Sequence, residues 1–358
     1  MYRKNSVFRI KSGAFVTATI VSLILSSCID DPPTHPAVND YQSYVDLVWE
    51  LYDQKYVAFD VKNVDWDAVH EEYSQMAAGI GSFAELQDVI IQMIGTLEDK
   101  NAFLRIWDPS QGYVIHPTCS PENEINYVDS VLMAYLDPWN FSWDGSTTWG
   151  YCIIDTIPYF AIKGFNYFFT FQAFKDVILD NIDAPGIIID IRMSDGESLV
   201  PAAQIPGVFT DQTVTAFYTQ YRTGPQHDDL SPLAVHDVFP RPWAYMKPVA
   251  ILTGEQNFGA SEAFVSVMAQ LPHVTLIGDT TGGGGNTPGY FTQVYWPLWE
   301  MDNITCPFAR VLTADTVSIE GIGILPDIYV QTTPADFLAG HDLVLEYAIE
   351  WIATQTAR

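Results

Sequence analysis

Gly186-Ile187-Ile188-Ile189-Asp190-Ile191-Arg192 is an apolar run with a single carboxylate in it, the signature of a strand buried on both faces of a sheet. Val249-Ala250-Ile251-Leu252 repeats the signature, and Val274-Thr275-Leu276-Ile277-Gly278 gives it a third time. Residues 260–271, between the last two runs, carry a helical pattern. Upstream, Tyr159-Phe160-Ala161-Ile162 reads as another strand and residues 171–179 as another helix. Strands alternating with helices in this way predict an α/β layer fold over residues 151–352.

Working towards the N-terminus, residues 41–107 predict a helical domain. Tyr44, Leu47, Val48, Leu51 and Tyr52 recur at helical spacing, as do Phe83, Leu86, Val89, Ile90, Met93, Ile94 and Leu97. Ser82, three residues ahead of Glu85, has the spacing of a capping box. Residues 108–150 are rich in Pro, Asn, Ser, Asp and Trp and predict a loop-rich connection with one short helix over 128–135. That connection is too short for a full PDZ module.

The whole chain has 358 residues, 14% of them aromatic, enough for a real core and too many aromatics for a disordered chain. Sixteen Lys and Arg against 44 Asp and Glu give a net charge of −28, which repels phosphate backbones and argues against a nucleic-acid partner. Cys119, Cys152 and Cys306 fit no metal or redox spacing and are expected as buried thiols. No metal site and no cofactor are expected.

The first residues predict an export signal. Arg3, Lys4, Arg9 and Lys11 precede an apolar run, and no acidic residue comes before Asp30. The run ends in Leu25-Ser26-Ser27-Cys28, which resembles the bacterial lipobox; that resemblance implies a signal peptide over 1–27 and lipid attachment at Cys28. Pro32-Pro33-Thr34-His35-Pro36 would then be part of a stiff tether over 28–40. The expected location is the bacterial cell envelope, on the periplasmic or the cell-surface face of the outer membrane.

The most specific text is Leu271-Pro272-His273-Val274-Thr275-Leu276-Ile277-Gly278-Asp279-Thr280-Thr281-Gly282-Gly283-Gly284-Gly285. With Ile189-Asp190-Ile191-Arg192, Asp65-Trp66-Asp67 and Glu320-Gly321-Ile322-Gly323-Ile324-Leu325-Pro326-Asp327, it resembles the tail-specific (C-terminal processing) serine peptidase family. The similarity is to the tricorn-core and retinoid-binding-protein-like branch found among Bacteroidetes lipoproteins. It implies a helical subdomain followed by a ClpP/crotonase-like α/β domain, and a peptide or unfolded protein segment as partner.

The resemblance also implies where catalytic groups belong. The family's serine falls at Gly259 and its base histidine at Asn101, while Glu320 matches the third member of the relay. The lysine of a second branch would fall at Gly284. Gly196 and Ala260 match the backbone donors of the oxyanion hole. A glycine cannot form an acyl-enzyme and a neutral amide cannot take a proton near neutral pH.

Three functions follow as expectations. One is a pseudopeptidase that binds extended peptides. Another is an active serine endopeptidase with Ser261 as displaced nucleophile, although two residues along a helix is about 200° of rotation away from the matched position. The third is an envelope glycan- or ligand-binding lipoprotein, suggested by ten Trp and 19 Tyr. Among the histidines, His227 and His236 lie in a stretch that reads as loop and could reach the groove, whereas His70, His116, His273 and His341 read as solvated surface residues.

Overall fold

The computed structural model describes residues 40–108, 110, 112–117, 126–196, 198–291 and 303–356. Cys28, the signal segment, the tether and Cys119 lie outside the described residues. Five strands run parallel in the order Ile328–Tyr329, Val274–Gly278, Val249–Thr253, Ile187–Asp190 and Ile157–Ile162. Trp149–Ile154 and Ser142–Trp143 extend this sheet as antiparallel strands.

The pleat explains why the central strands read as continuous apolar runs. Ile187, Ile189, Val249 and Ile251 enter one core, with Phe160 and Phe264, while Ile188, Ala250 and Leu252 enter the opposite one. Successive side chains on a strand point to opposite faces, so both sets must be apolar when both faces are covered. The first face is covered by Phe171–Asp180, Leu199–Gln204 and Ala260–Met268, the second by Asp129–Leu136 and Leu343–Thr356.

The N-terminal helices Tyr41–Lys55, Trp66–Ala77 and Phe83–Gly95 enclose a separate core of Tyr44, Val48, Tyr52, Trp66, Leu86 and Ile90. The Ser82–Glu85 capping box forms as expected. The expected helical pattern does not continue to 107, because Phe103–Asp108 is a strand. Leu104 on that strand, with Ile304 and Cys306, closes the floor of the helical core.

That strand belongs to a second sheet the sequence did not announce. It is antiparallel and six-stranded, with Ala234–Val238, Val214–Tyr221, Asn303–Thr313, Phe103–Asp108 and Gly112–Pro117 in order, and Asn286–Phe291 also paired to Asn303–Thr313. Two of its strands carry an internal proline, Pro288 and Pro307, which argues against strand on sequence grounds alone. The register shift at Thr287/Pro288 is how one of them is accommodated. The stretch expected as loop around His236 is one of these strands, and the connection over 108–150 contains strands beside its helix. Cys152 and Cys306 are buried free thiols, as expected.

Between the sheet and the C-terminal helix lies one buried cation. Arg192 donates to Asp190 through Nε (3.0 Å) and Nη2 (2.7 Å), and to Asp342 through Nη1 and Nη2, both at 2.9 Å. All three side chains are essentially without exposed surface. Removing the guanidinium would leave two buried carboxylates facing each other. Arg192→Met should therefore lower the unfolding free energy by about 3–5 kcal/mol, measured by urea titration, far more than a surface Arg substitution would.

Candidate functional site

The strand Val249–Thr253 leads through a tight turn into the helix Ala260–Met268, with Gly259 as N-cap at φ 61°, ψ −123°. A sharp strand-to-helix turn of this kind holds the residue at its apex in a constrained backbone conformation. An L-residue is strained there, by about 1–3 kcal/mol, and glycine is not. The apex is therefore built like the seat of a nucleophile and holds none.

Asn257 fixes the turn from within. Its Nδ2 donates to Ile191 O and to Ser194 O, and its Oδ1 accepts from Gly254 N. Gly196 then packs so close that a Cβ on it would lie 2.5 Å from Ser261 N and 2.6 Å from Phe258 O.

A Cβ built on Gly259 would stand 3.9 Å from Asn101 Oδ1 and 2.9 Å from Gly196 O. The two positions matched to nucleophile and base thus adjoin in space, although far apart in the chain. Gly284 O joins them further, accepting from Gly259 N at 3.0 Å and from Asn101 Nδ2 at 3.0 Å. What Gly196 turns towards the apex is its carbonyl oxygen, an acceptor where the family resemblance implies an oxyanion donor.

Asn101 is buried and held on every side. Its Nδ2 also donates to Asn286 O (2.7 Å), its N–H to Asp99 Oδ1 (2.8 Å), and its carbonyl accepts from Thr305 Oγ1 (2.9 Å). Asp99, with no exposed surface, additionally accepts from Tyr56 OH (2.9 Å) and Asn286 Nδ2 (2.8 Å). With both Nδ2 protons directed at carbonyl oxygens, Oδ1 is the atom that faces Gly259.

Glu320 lies in the same neighbourhood. It forms an ion pair with Lys62 Nζ at 2.6 Å, the two side chains being 1% and 10% exposed. Burial, reinforced by the charge of Asp99, raises the Glu320 carboxyl well above the usual range, and Lys62 opposes the shift. A lysine thus pairs with the carboxylate that would orient an imidazole. Lys62 was not recognisable from sequence: it lies in the short helix Phe59–Lys62, with no motif linking it to Glu320.

Glu262, three residues after Gly259, is fully buried. Its Oε1 accepts from Thr281 Oγ1 (2.6 Å) and Gly283 N (2.8 Å), pinning the glycine run to the helix. Burial pushes its carboxyl up to about 7, against the opposing pull of those hydrogen bonds and of Lys100. Lys100 itself stands 3.6 Å from Glu255 and reaches Gly282, not Gly284.

Ser261 is fully buried and its Oγ lies 3.0 Å from Ser194 Oγ and 3.2 Å from Ser194 O, with no imidazole or amine among its partners in the described residues. His227 pairs with Asp53 and stacks on Phe59, His236 contacts Thr219 Oγ1 and stacks on Phe217, and neither bonds to Gly259, Asn101 or Ser261. Among the described residues no group of His, Cys, Asp and Glu could hold a metal ion.

Comparison with known proteins identifies the family and the fold. Residues 156–330 match Peptidase family S41, and residues 38–95 match the Tricorn protease C1 domain. The chain belongs to the tail-specific (S41) peptidase family. The S41 member is 26% identical over 160 residues to a carboxy-terminal-processing protease of Bartonella bacilliformis, a match covering 45% of this chain and 34% of that relative. Its fold superposes on a candidate peptidase from Parabacteroides merdae with a TM-score of 0.76 at 25% identity, over 87% of this chain and 96% of that one. Mature CPAF shares the fold at a TM-score of 0.65 and 12% identity, over 88% of this chain and 96% of that one.

Two outcomes follow for this S41 site. A Cβ at Gly259 is both strained and too near Gly196 O, so Gly259→Ala should destabilise the protein by at least about 1 kcal/mol in urea titration. Because the folded state holds the Glu262 proton more tightly than the unfolded chain, stability should fall as pH rises from about 4.5 to above 7. Glu262→Gln should match the native protein near pH 5 and exceed its stability by roughly 2–3 kcal/mol near pH 8, in paired denaturation curves.

Proposed function

We propose that this S41 family member is a pseudopeptidase, a lipid-anchored protein of the bacterial cell envelope that holds extended peptide or unfolded protein segments without cutting them. The observation that carries the reading is the pairing of Gly259 and Asn101 across the apex of the strand-to-helix turn. Family membership makes peptides the partner class. The two residues that adjoin at the apex supply neither a nucleophile nor a general base.

The magnitude of the loss decides between weak and absent turnover. Removing the nucleophile of a comparable triad costs about 10⁶ in rate, and what remains comes from binding and oxyanion contacts. Here the second of these is opposed as well, because Gly196 O faces the apex and a carbonyl dipole repels a developing oxyanion. The envelope location and the anchor rest on Cys28 and the basic and apolar segment ahead of it. Among the described residues no helix is long and apolar enough to cross a membrane.

The test is direct. Unfolded, carboxymethylated casein should bind the purified protein in fluorescence anisotropy yet yield no acid-soluble fragments, and a fluorophosphonate probe should leave the protein unlabelled. Gly259→Ser combined with Asn101→His should introduce labelling if the scaffold still aligns the two positions. Casein hydrolysis by the native protein, blocked by a serine-directed reagent, would sink the proposal.

A further inference from the structure

Residues 320–325 lie across the glycine run as a strap. Gly321 N donates to Gly283 O at 2.7 Å, Thr281 N to Ile324 O at 3.1 Å, and Ile324 N to Thr281 Oγ1 at 2.7 Å. The two segments touch backbone to backbone: a Cβ on Gly283 would lie 2.9 Å from Ile322 N, and one on Gly323 would meet Thr281 O. What the strap lacks is apolar anchorage. Ile322 and Leu325 are 69% and 74% exposed, Ile324 is half-buried, and Glu320 is the one side chain of the six that is buried. The helix Ala260–Met268 on the other side of the run is, by contrast, buried throughout. Lifting the strap uncovers little apolar surface, which puts it at the low-stability end of the structure.

Both ends of the strap are tied to buried carboxyl groups. Glu320 begins it, with Lys62 Nζ 2.6 Å away. Near its other end, Thr281 Oγ1 accepts from Ile324 N and donates to Glu262 Oε1, which also accepts from Gly283 N. The charges on the surrounding elements do not balance. Asp99, Glu255, Glu262 and Glu320 stand around Lys62 and Lys100, so full ionisation would set four negative charges, three of them buried, against two positive ones. Tyr56, the neighbouring phenol, donates to Asp99 and brings no charge. We propose that residues 320–325 are a pH-sensitive strap, closed over the glycine run while Glu262 and Glu320 together keep a proton and released when both are ionised. Burial raises both carboxyls, Glu262 to about 7, and the charge of Asp99 adds to the shift at Glu320. The closed strap thus holds protons that exposed carboxyls would lose, so opening releases them and grows as pH rises from about 4.5 to about 7. Opening frees Gly283 O and Thr281 N, and it slackens the run whose Gly284 O holds Gly259 N and Asn101 Nδ2. The order of the apex is thereby tied to pH.

Hydrogen exchange of the full chain, resolved to single amides by mass spectrometry and corrected for the intrinsic pH dependence of amide exchange, tests this. The N–H groups of Thr281, Gly321 and Ile324 should exchange through a local opening, with protection at least about tenfold below that of the strand Val249–Thr253. Their protection should fall by at least about tenfold between pH 5 and pH 7. Glu262→Gln combined with Glu320→Gln removes the titrating protons and should reduce that fall to less than about twofold. Should the double variant fail to fold, the profile of the native protein still decides. Strap amides that exchange only together with the strand Val249–Thr253 overturn the proposal, because no local opening then exists. Protection that stays level from pH 5 to pH 7 overturns it too, and so does a folded double variant that keeps the native fall.

Discussion

Asp99 is a carboxylate with no exposed surface, and the site is organised around how its lone pairs are used. A buried anion is tolerable only when donors surround it. Here they come from Tyr56, from the backbone of Asn101 and from Asn286, which ties the end of the first helix, the turn after the fourth and the end of the glycine run to one point. The helical subdomain and the second sheet are thereby held in register beside the strand-to-helix turn. Glu320 feels the same charge, and Lys62 supplies the compensating cation. The neighbourhood is thus a set of buried acidic groups, Asp99 met by neutral donors and Glu320 by Lys62.

Much of the parallel sheet was legible because its signal is local. Residues 187–190, 249–253 and 274–278 lie in strands whose two faces are both covered, so each had to be apolar nearly throughout, and a short uninterrupted apolar run fits few settings besides a buried strand. The Ser82–Glu85 box was legible for a similar reason, since capping is settled within one turn. The antiparallel sheet was not. Its strands combine half-buried positions, two internal prolines and a register shift, and its pairings join residues near 104 to residues near 304. Nothing local announces such a partner.

The site divided along the same line. Gly259, Asn101 and Glu320 could be placed by resemblance because each sits in a segment with a recognisable frame, and the first two do adjoin. Lys62, Lys100, Asn286 and Tyr56 could not, since they reach the site from segments whose text is ordinary helix or strand end. The direction of the Gly196 carbonyl was equally hidden. It is a property of one peptide plane, set by how closely Gly196 packs on Phe258 and Ser261, and residue type does not encode it.

The two residues at the apex also fit one another. With a side chain at 259, the backbone would hold an L-residue at φ 61° and Gly196 O would have to retreat from 2.9 Å. Glycine removes both conflicts at once. Position 101 faces two carbonyl oxygens, of Gly284 and Asn286, that each want a proton. A neutral imidazole has one N–H to offer, whereas a carboxamide nitrogen has two. Asparagine therefore satisfies both carbonyls while carrying no charge beside Asp99. The bracing at position 101 follows from that pair of hydrogen atoms.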